Sequence, residues 1–215
     1  MDFQSVLATI PPTVKLCAVS KTKPAEAILE LYNAGQRVFG ENKVQELCEK
    51  YEVLPKDIEW HQIGHLQTNK VKYMAPFVAM IHAVDSLKLL QEINKQAANN
   101  NRVIDCLLQF HIAQEETKFG MDRQEVGDLL SYISTNPLAN IRLRGVMGMA
   151  SFVEDQQQIR NEFSSLKGHF EWIKGTYKVT DNFDTISMGM SGDYQMAIEE
   201  GSNLVRLGSI LFGTR

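Results

Sequence analysis

Short apolar runs alternate with helical periodicities from one end of the chain to the other. The runs are VKLCAVS (14–20), RVFG (37–40), EWHQIG (59–64), MIHAVD (80–85), CLLQFHI (106–112), IRLRGVMGM (141–149), DTISMGM (184–190) and LVRLGSILFG (204–213). Each has the length of a strand and is apolar enough on both faces to be buried in a parallel sheet. The segments between them read as helices. In KPAEAILELYNAG, Pro24 is expected at the first helical position, where a missing N–H is no loss. Ile28, Leu31 and Tyr32 then form one face, and Gly35 supplies the stop. Ser86 opens a second helix, with Leu89, Leu90, Ile93 and Ala97 on its buried side. Asp122 and Glu125 have capping-box spacing ahead of Val126, Leu129, Leu130 and Ile133. Ile159, Phe163, Leu166, Phe170 and Ile173 make a stripe expected to end at Gly175.

Eight strands alternating with helices predict an α/β fold, a single (β/α)8 TIM barrel. The alternative is an open doubly wound sheet, but no G-x-G-x-x-G follows the first strand. No linker, repeat or low-complexity segment interrupts the 215 residues, so residues 1–215 are expected to form one domain.

Composition narrows the function. The formal net charge of −4 and the lack of a Lys/Arg block argue against nucleic acid or an anionic membrane as partner. Cys17, Cys48 and Cys106 are too far apart for a metal pair and read as reduced thiols in a cytoplasmic protein. The first residues lack the pattern of a signal peptide, and no apolar stretch is long enough to span a bilayer.

In such barrels the chemistry sits at the C-terminal ends of the strands, so the residues that end each run are the ones to read. Lys21 follows the first run and shares a face with Cys17 and Val19. If that face lines the barrel, Lys21 projects into the mouth. By position alone a surface lysine is the simpler reading. A lysine in a dry apolar pocket, however, is a neutral amine able to form Schiff bases. The seventh run ends in SMGMSGD, a Gly/Ser turn leading into a short helix, with Asp193 expected as its N-cap and Gly201 as its stop. Gly208 and Ser209 close the eighth run beside it, and loops after strands 7 and 8 recurrently bind phosphate in this fold. Arg206 stands between Val205 and Leu207, where a cation needs a partner, either a core acid or a ligand's acceptor atom. Asn42 is either a helix cap or a polar contact in the mouth. His61 and His65 lack metal spacing with any carboxylate, and a strand histidine is more often a satisfied core residue. In TNK (68–70) a plain helix start is favoured over an anion site.

AVSKTKP, FGENKVQE, WHQIGHLQTNK, KFGM, LRGVMGM and SMGMSGDYQMAIEEGSNLVRLGSILFG follow one another in this order across nearly the whole chain. In that order they resemble the pyridoxal phosphate (PLP) homeostasis family, whose fold is similar to the barrel domain of alanine racemase, the fold-type III class of PLP proteins. The resemblance implies that Lys21 holds PLP as a Schiff base. It implies phosphate contacts from Ser191, Gly192, Gly208 and Ser209, and a hydrogen bond from Arg206 to the pyridine nitrogen. It also places Asn42 and Met147 near the cofactor, and Lys23 as a neighbouring cation that discourages charging of Lys21.

Family members usually carry a longer helix before the first strand, so with only MDFQSVLATIPPT there one flank of the barrel is expected to be less covered. An arginine at the ring nitrogen disfavours a ring proton and weakens the electron sink. Racemases with this arginine also use a tyrosine from a second domain, and no such domain is expected after strand eight here. Three functions follow in order of preference: a PLP carrier without turnover that passes the cofactor to apo-enzymes, a weak amino-acid racemase, and a Schiff-base aldolase acting without PLP. The carrier is expected to be a monomer.

Overall fold

The computed structural model describes residues 3–114 and 119–213; Lys118 of the KFGM motif and the terminal Thr214 and Arg215 lie outside them. All eight expected strands are present: β1 (Lys15–Val19), β2 (Val38–Glu41), β3 (Glu59–Gln62), β4 (Met80–Val84), β5 (Ile104–Gln109), β6 (Ile141–Met147), β7 (Thr185–Ser187) and β8 (Leu204–Leu207). They pair in parallel and in sequence order, and β8 returns to β1 to close the barrel. That closure excludes the open doubly wound sheet.

Helices pack around the outside: α1 (Phe3–Leu7), α2 (Ala25–Asn33), α3 (Val44–Val53), α4 (Val71–Met74), α5 (Leu87–Asn99), α6 (Arg123–Thr135), α7 (Gln156–Thr176), α8 (Tyr194–Glu199) and α9 (Ser209–Phe212). The main core lies between strands and helices, where Phe39, Trp60, Ile93, Phe163 and Leu166 are fully enclosed. Capping agrees with the local sequence. Ser86 accepts from Leu89 N, and Asp122 and Glu125 exchange both bonds of a capping box.

Several expectations shift. The eighth strand stops at Leu207 rather than Gly213: Gly208 leaves the extended region at ψ −77° and starts α9. Pro24 precedes α2 instead of opening it. α7 runs through Gly175 to Thr176, because Tyr177 N still bonds Ile173 O and a glycine in a helix costs only about 1 kcal/mol relative to alanine. Asp193 holds the N-cap position of α8 as expected, but its side chain turns back, Oδ1 accepting from Met190 N at 2.6 Å, and makes no capping bond to the helix. Lys43, not Asn42, holds the capping position of α3. The N-terminal segment covers more than its length suggests, since Val6 of α1 is fully buried with Leu16, Tyr194, Val205 and Leu207 over the outer face of β1 and β8.

Inside the barrel, Cys17, Met80, Ala83, Leu107, Met147 and Leu204 form a second apolar cluster, with Val19 and Met149 packed on it. The inward face predicted from Cys17 and Val19 is therefore the observed one. Register shifts occur in β4 between Ile81 and Val84 and between β5 and β6 after Cys106. At the second shift Gly145 takes φ +152°, and a Cβ there would lie 1.8 Å from Thr185 O. Only glycine lets the two backbones approach so closely.

Candidate functional site at the C-terminal mouth

The residues singled out in the sequence fall on one arc of the barrel rim, running β6–β7–β8–β1–β2. Cys17 pairs with Arg206, Val19 with Gly40 and Met147 with Ser187, so the arc is continuous. Lys21 lies two residues past the end of β1, half-buried, and its amine has no partner among the described residues. The chain on either side of it is held. Ser20 Oγ donates to Glu41 Oε1 at 2.6 Å, and Lys50 Nζ donates to Ser20 O at 2.7 Å and to Glu41 Oε1 at 2.6 Å. Lys50 also reaches Glu46 Oε1 at 2.7 Å, and the same oxygen accepts from Thr22 N. Thr22 sits at φ +65°, a left-handed conformation uncommon for a residue with a Cβ. Lys23 does not share the amine's surroundings passively: its Nζ donates to Phe212 O and Gly213 O at the end of α9.

The pairing around Lys21 restricts geometry more than it adds stability. Glu41 is fully buried, and burial raises its carboxyl above the ordinary value despite the Lys50 and Ser20 bonds. Its second oxygen, Oε2, has no partner among the described residues. A buried ion pair of this kind is weak support for stability but fixes the groups it touches.

Arg206 is the cation of the opposite wall, only 4 % exposed. Its NH1 donates to Ser187 O at 2.9 Å and Ser187 Oγ at 2.6 Å, and its NH2 donates to Gly148 O at 3.0 Å. No carboxylate bonds it among the described residues. Three of the five N–H donors of a guanidinium are thus used, and two are left over. Burial lowers its pKa to about 10, so it remains charged at neutral pH. A buried cation held by neutral acceptors, with donors to spare, suits a ligand that brings an acceptor atom.

Between these walls Ser191 Oγ accepts from Gly208 N at 3.1 Å and from Ile210 N at 3.4 Å. The turn that carries it depends on Gly189, at φ +95°, where a Cβ would stand 2.6 Å from Ala197 Cβ. The hydroxyl oxygen thus occupies an acceptor seat on two backbone amides, a seat that also fits an anionic oxygen. Gly192 and Ser209 are exposed on the same rim. Asn42 is half-buried, and its carbonyl takes a bond from Gln62 Nε2 at 2.9 Å. Met147 is fully buried in the barrel cluster, whereas Met149, two residues on, is half-buried nearer the rim. His61 is a buried interior residue, and His65 pairs with Asp85 at 3.0 Å and stacks on Phe119 across the mouth. The described residues contain no group of side chains suited to a metal ion.

The sequence reading missed Ser20, Glu41, Glu46 and Lys50. A signal was present, since Glu41 and Glu46 both stand in FGENKVQE and Glu46 is four residues before Lys50.

Comparison with known proteins accords with this geometry. Residues 2–215 match the family model described as alanine racemase, N-terminal domain. The chain is 43 % identical over 202 residues to the pyridoxal phosphate homeostasis protein of Aquifex aeolicus, covering 94 % of this chain and 87 % of that one. It is 37 % identical to the Escherichia coli protein of the same name, over 95 % and 87 % of the two chains. Among solved structures, PipY of Synechococcus elongatus with PLP bound superposes with a TM-score of 0.86 at 33 % identity, over 98 % and 97 % of the two chains. Alanine racemase of Clostridium difficile shares the fold at 16 % identity, with a TM-score of 0.78 over 99 % of this chain and 58 % of that one. The family model over nearly the whole chain and relatives at 37–43 % identity, matched almost end to end, make the chain a member of the pyridoxal phosphate homeostasis protein family.

Proposed function

We propose that this chain binds pyridoxal 5′-phosphate at the barrel mouth and serves in intracellular PLP homeostasis as a cytoplasmic cofactor carrier. The observation that carries the reading is the amine of Lys21, unpartnered among the described residues and flanked on both sides by fixed backbone. Lys21 supplies the nitrogen that condenses with the cofactor's aldehyde, releasing water. Arg206 offers its unused donors to the ring nitrogen, and Ser191, Gly192, Gly208 and Ser209 surround the phosphate. Asn42 and the Met147 strand flank the ring. Bound PLP supplies an aldehyde and an electron-withdrawing ring. The fixed guanidinium at the ring nitrogen disfavours a ring proton and so disfavours turnover. The named relatives support this reading, being homeostasis proteins over most of their length. The carrier works as a monomer and a single domain, and it hands PLP to apo-enzymes. No helix among the described residues is long and apolar enough to cross a membrane.

The test is borohydride reduction of the PLP-loaded protein followed by peptide mass mapping. The expected result is one pyridoxyl label on Lys21 and none in Lys21→Ala. A label on another lysine, or a protein that does not change colour with PLP, overturns the reading. Absence of turnover is checked by incubating the loaded protein with amino acids in D2O. Exchange of the α-proton above a free-PLP control would make it an enzyme.

A further inference from the structure

A polar chain runs through the apolar filling of this barrel, where such barrels are usually filled by branched apolar side chains alone. His61 of β3, His82 of β4, Ser187 of β7 and Arg206 of β8 meet across the axis, all buried. His82 Nε2 lies 2.9 Å from His61 Nδ1, and His82 Nδ1 lies 3.1 Å from Ser187 Oγ. Ser187 Oγ in turn accepts from Arg206 NH1 at 2.6 Å. The register shift in β4 falls at His82 and Ala83, and a bulge is a means of re-aiming a side chain beside a functional site.

The protons of this chain have a direction. A guanidinium only donates, so Ser187 oxygen is an acceptor. The remaining partner of the Ser187 hydroxyl is His82 Nδ1. Were Nδ1 protonated, two donors would face one oxygen and the hydroxyl hydrogen would be buried without an acceptor. His82 is therefore the Nε2–H tautomer and donates to His61 Nδ1. His61 then carries its own proton on Nε2. His61 also lines a cavity of about 140 Å³ at the far end of the barrel, beside Lys15, Glu59 and Asp105. Burial keeps both imidazoles neutral, His61 with a pKa lowered to about 3 and His82 shifted in the same direction.

We propose that His82, oriented by His61, is a positioning residue for Arg206, acting through the Ser187 hydroxyl. With its hydrogen drawn to His82, that hydroxyl presents a lone pair to NH1. Both NH1 hydrogens are then used within the wall, and the guanidinium is held in the rotamer that leaves Nε and one NH2 hydrogen for a ligand. The inference rests on the reading of Arg206 as the partner of the cofactor's ring nitrogen, but its geometry is measurable without cofactor.

The experiment is nitrogen-15 NMR of the cofactor-free protein. In the unmodified chain, His82 and His61 are expected to show protonated Nε2 and unprotonated Nδ1. Arg206 is expected to show separate, slowly exchanging NH1 and NH2 signals. A protonated Nδ1 on His82 overturns the proposal and needs no variant. Two variants then separate positioning from packing. His82→Asn places a carboxamide oxygen near the Nδ1 position and keeps an acceptor for Ser187. His82→Gln restores only the bond to His61. The Asn variant should keep the separate Arg206 signals and bind PLP within about threefold of the unmodified chain. The Gln variant should merge the signals and weaken PLP by about tenfold. Equal behaviour of the two variants overturns the proposal. If the unmodified chain fails to bind PLP while its Arg206 signals respond as described, the cofactor reading falls and the positioning role stands.

Discussion

The two walls of the mouth solve the burial of a cation in opposite ways. On the β1–β2 side, Lys50 is matched by two carboxylates, Glu41 and Glu46, and the set immobilises Ser20 and Thr22 around Lys21. On the β7–β8 side, Arg206 is matched only by carbonyls and a hydroxyl. The first arrangement is closed: charge meets charge, and the nearby amine of Lys21 is left as the group without a partner. The second is open, since neutral acceptors hold the guanidinium without neutralising it. Ionic compensation thus builds a rigid frame for a nucleophile, and dipolar compensation keeps a positive field for a ligand.

The largest effect should come from breaking the closed side unevenly. Lys50→Leu strands Glu41 as an uncompensated charge at a fully buried position, and loss of one partner of a buried pair costs about 3–5 kcal/mol. Replacing both, in Glu41→Leu/Lys50→Leu, removes the stranded charge and should recover most of that loss. The double variant should still anchor PLP poorly, because Ser20 loses its bonds to Glu41 and Lys50, and Glu46, which holds Thr22 N, loses the Lys50 bond that fixes it. Urea unfolding measures the first statement and borohydride labelling of Lys21 the second. A double variant as unstable as Lys50→Leu alone would show that the pair, and not the unpaired charge, supports the fold.

How much of this contrast was legible depended on distance along the chain. The barrel could be read because each strand is a local apolar run, and Lys21, Ser191 and Arg206 because they stand at or near strand ends. The end of strand eight was misread, since SILF is apolar and four residues cannot separate a strand from a helical turn by periodicity. Gly175 was misread because a glycine stops a helix only when the backbone turns there, and the ladder through Tyr177 continues. The polar wiring was invisible for a different reason. Ser20 reaches Glu41 across 21 positions and His82 reaches Ser187 across 105, and only the barrel register brings them together.

Acid should act with opposite sign on the closed wall and on the interior histidines behind the open one. His61 and His82 have lowered folded pKa values, so between those values and about 6.5 the unfolded chain binds more protons, and stability falls as pH falls. Lys15 adds to this at His61, and the His61 and Arg206 groups add to it at His82. Glu41 has a raised folded pKa, so the folded chain takes its proton first, and that contribution grows as pH falls. From pH 7 to pH 5, His61 alone should remove about 2 kcal/mol. Unfolding curves of the cofactor-free protein and of His61→Leu at both pH values isolate that contribution by difference. Parallel pH dependence in the two proteins would contradict a neutral buried imidazole at position 61.

The smallest effect tests the boundary of the open wall, where Ser191 rests on the amides of Gly208 and Ile210. Ser191→Ala removes a hydroxyl from a half-exposed rim, where water can replace it, so stability should change by less than about 1 kcal/mol. For PLP the loss of one hydrogen bond to the phosphate, about 0.5–1.5 kcal/mol, is partly offset because the two amides become available to the ligand. The expected weakening is therefore below about tenfold. Pyridoxal, which has the same aldehyde and ring but no phosphate, should bind the variant as it binds the unmodified chain. Equal weakening of both ligands would move Ser191 from the phosphate to the ring, and the open wall would then end at Arg206.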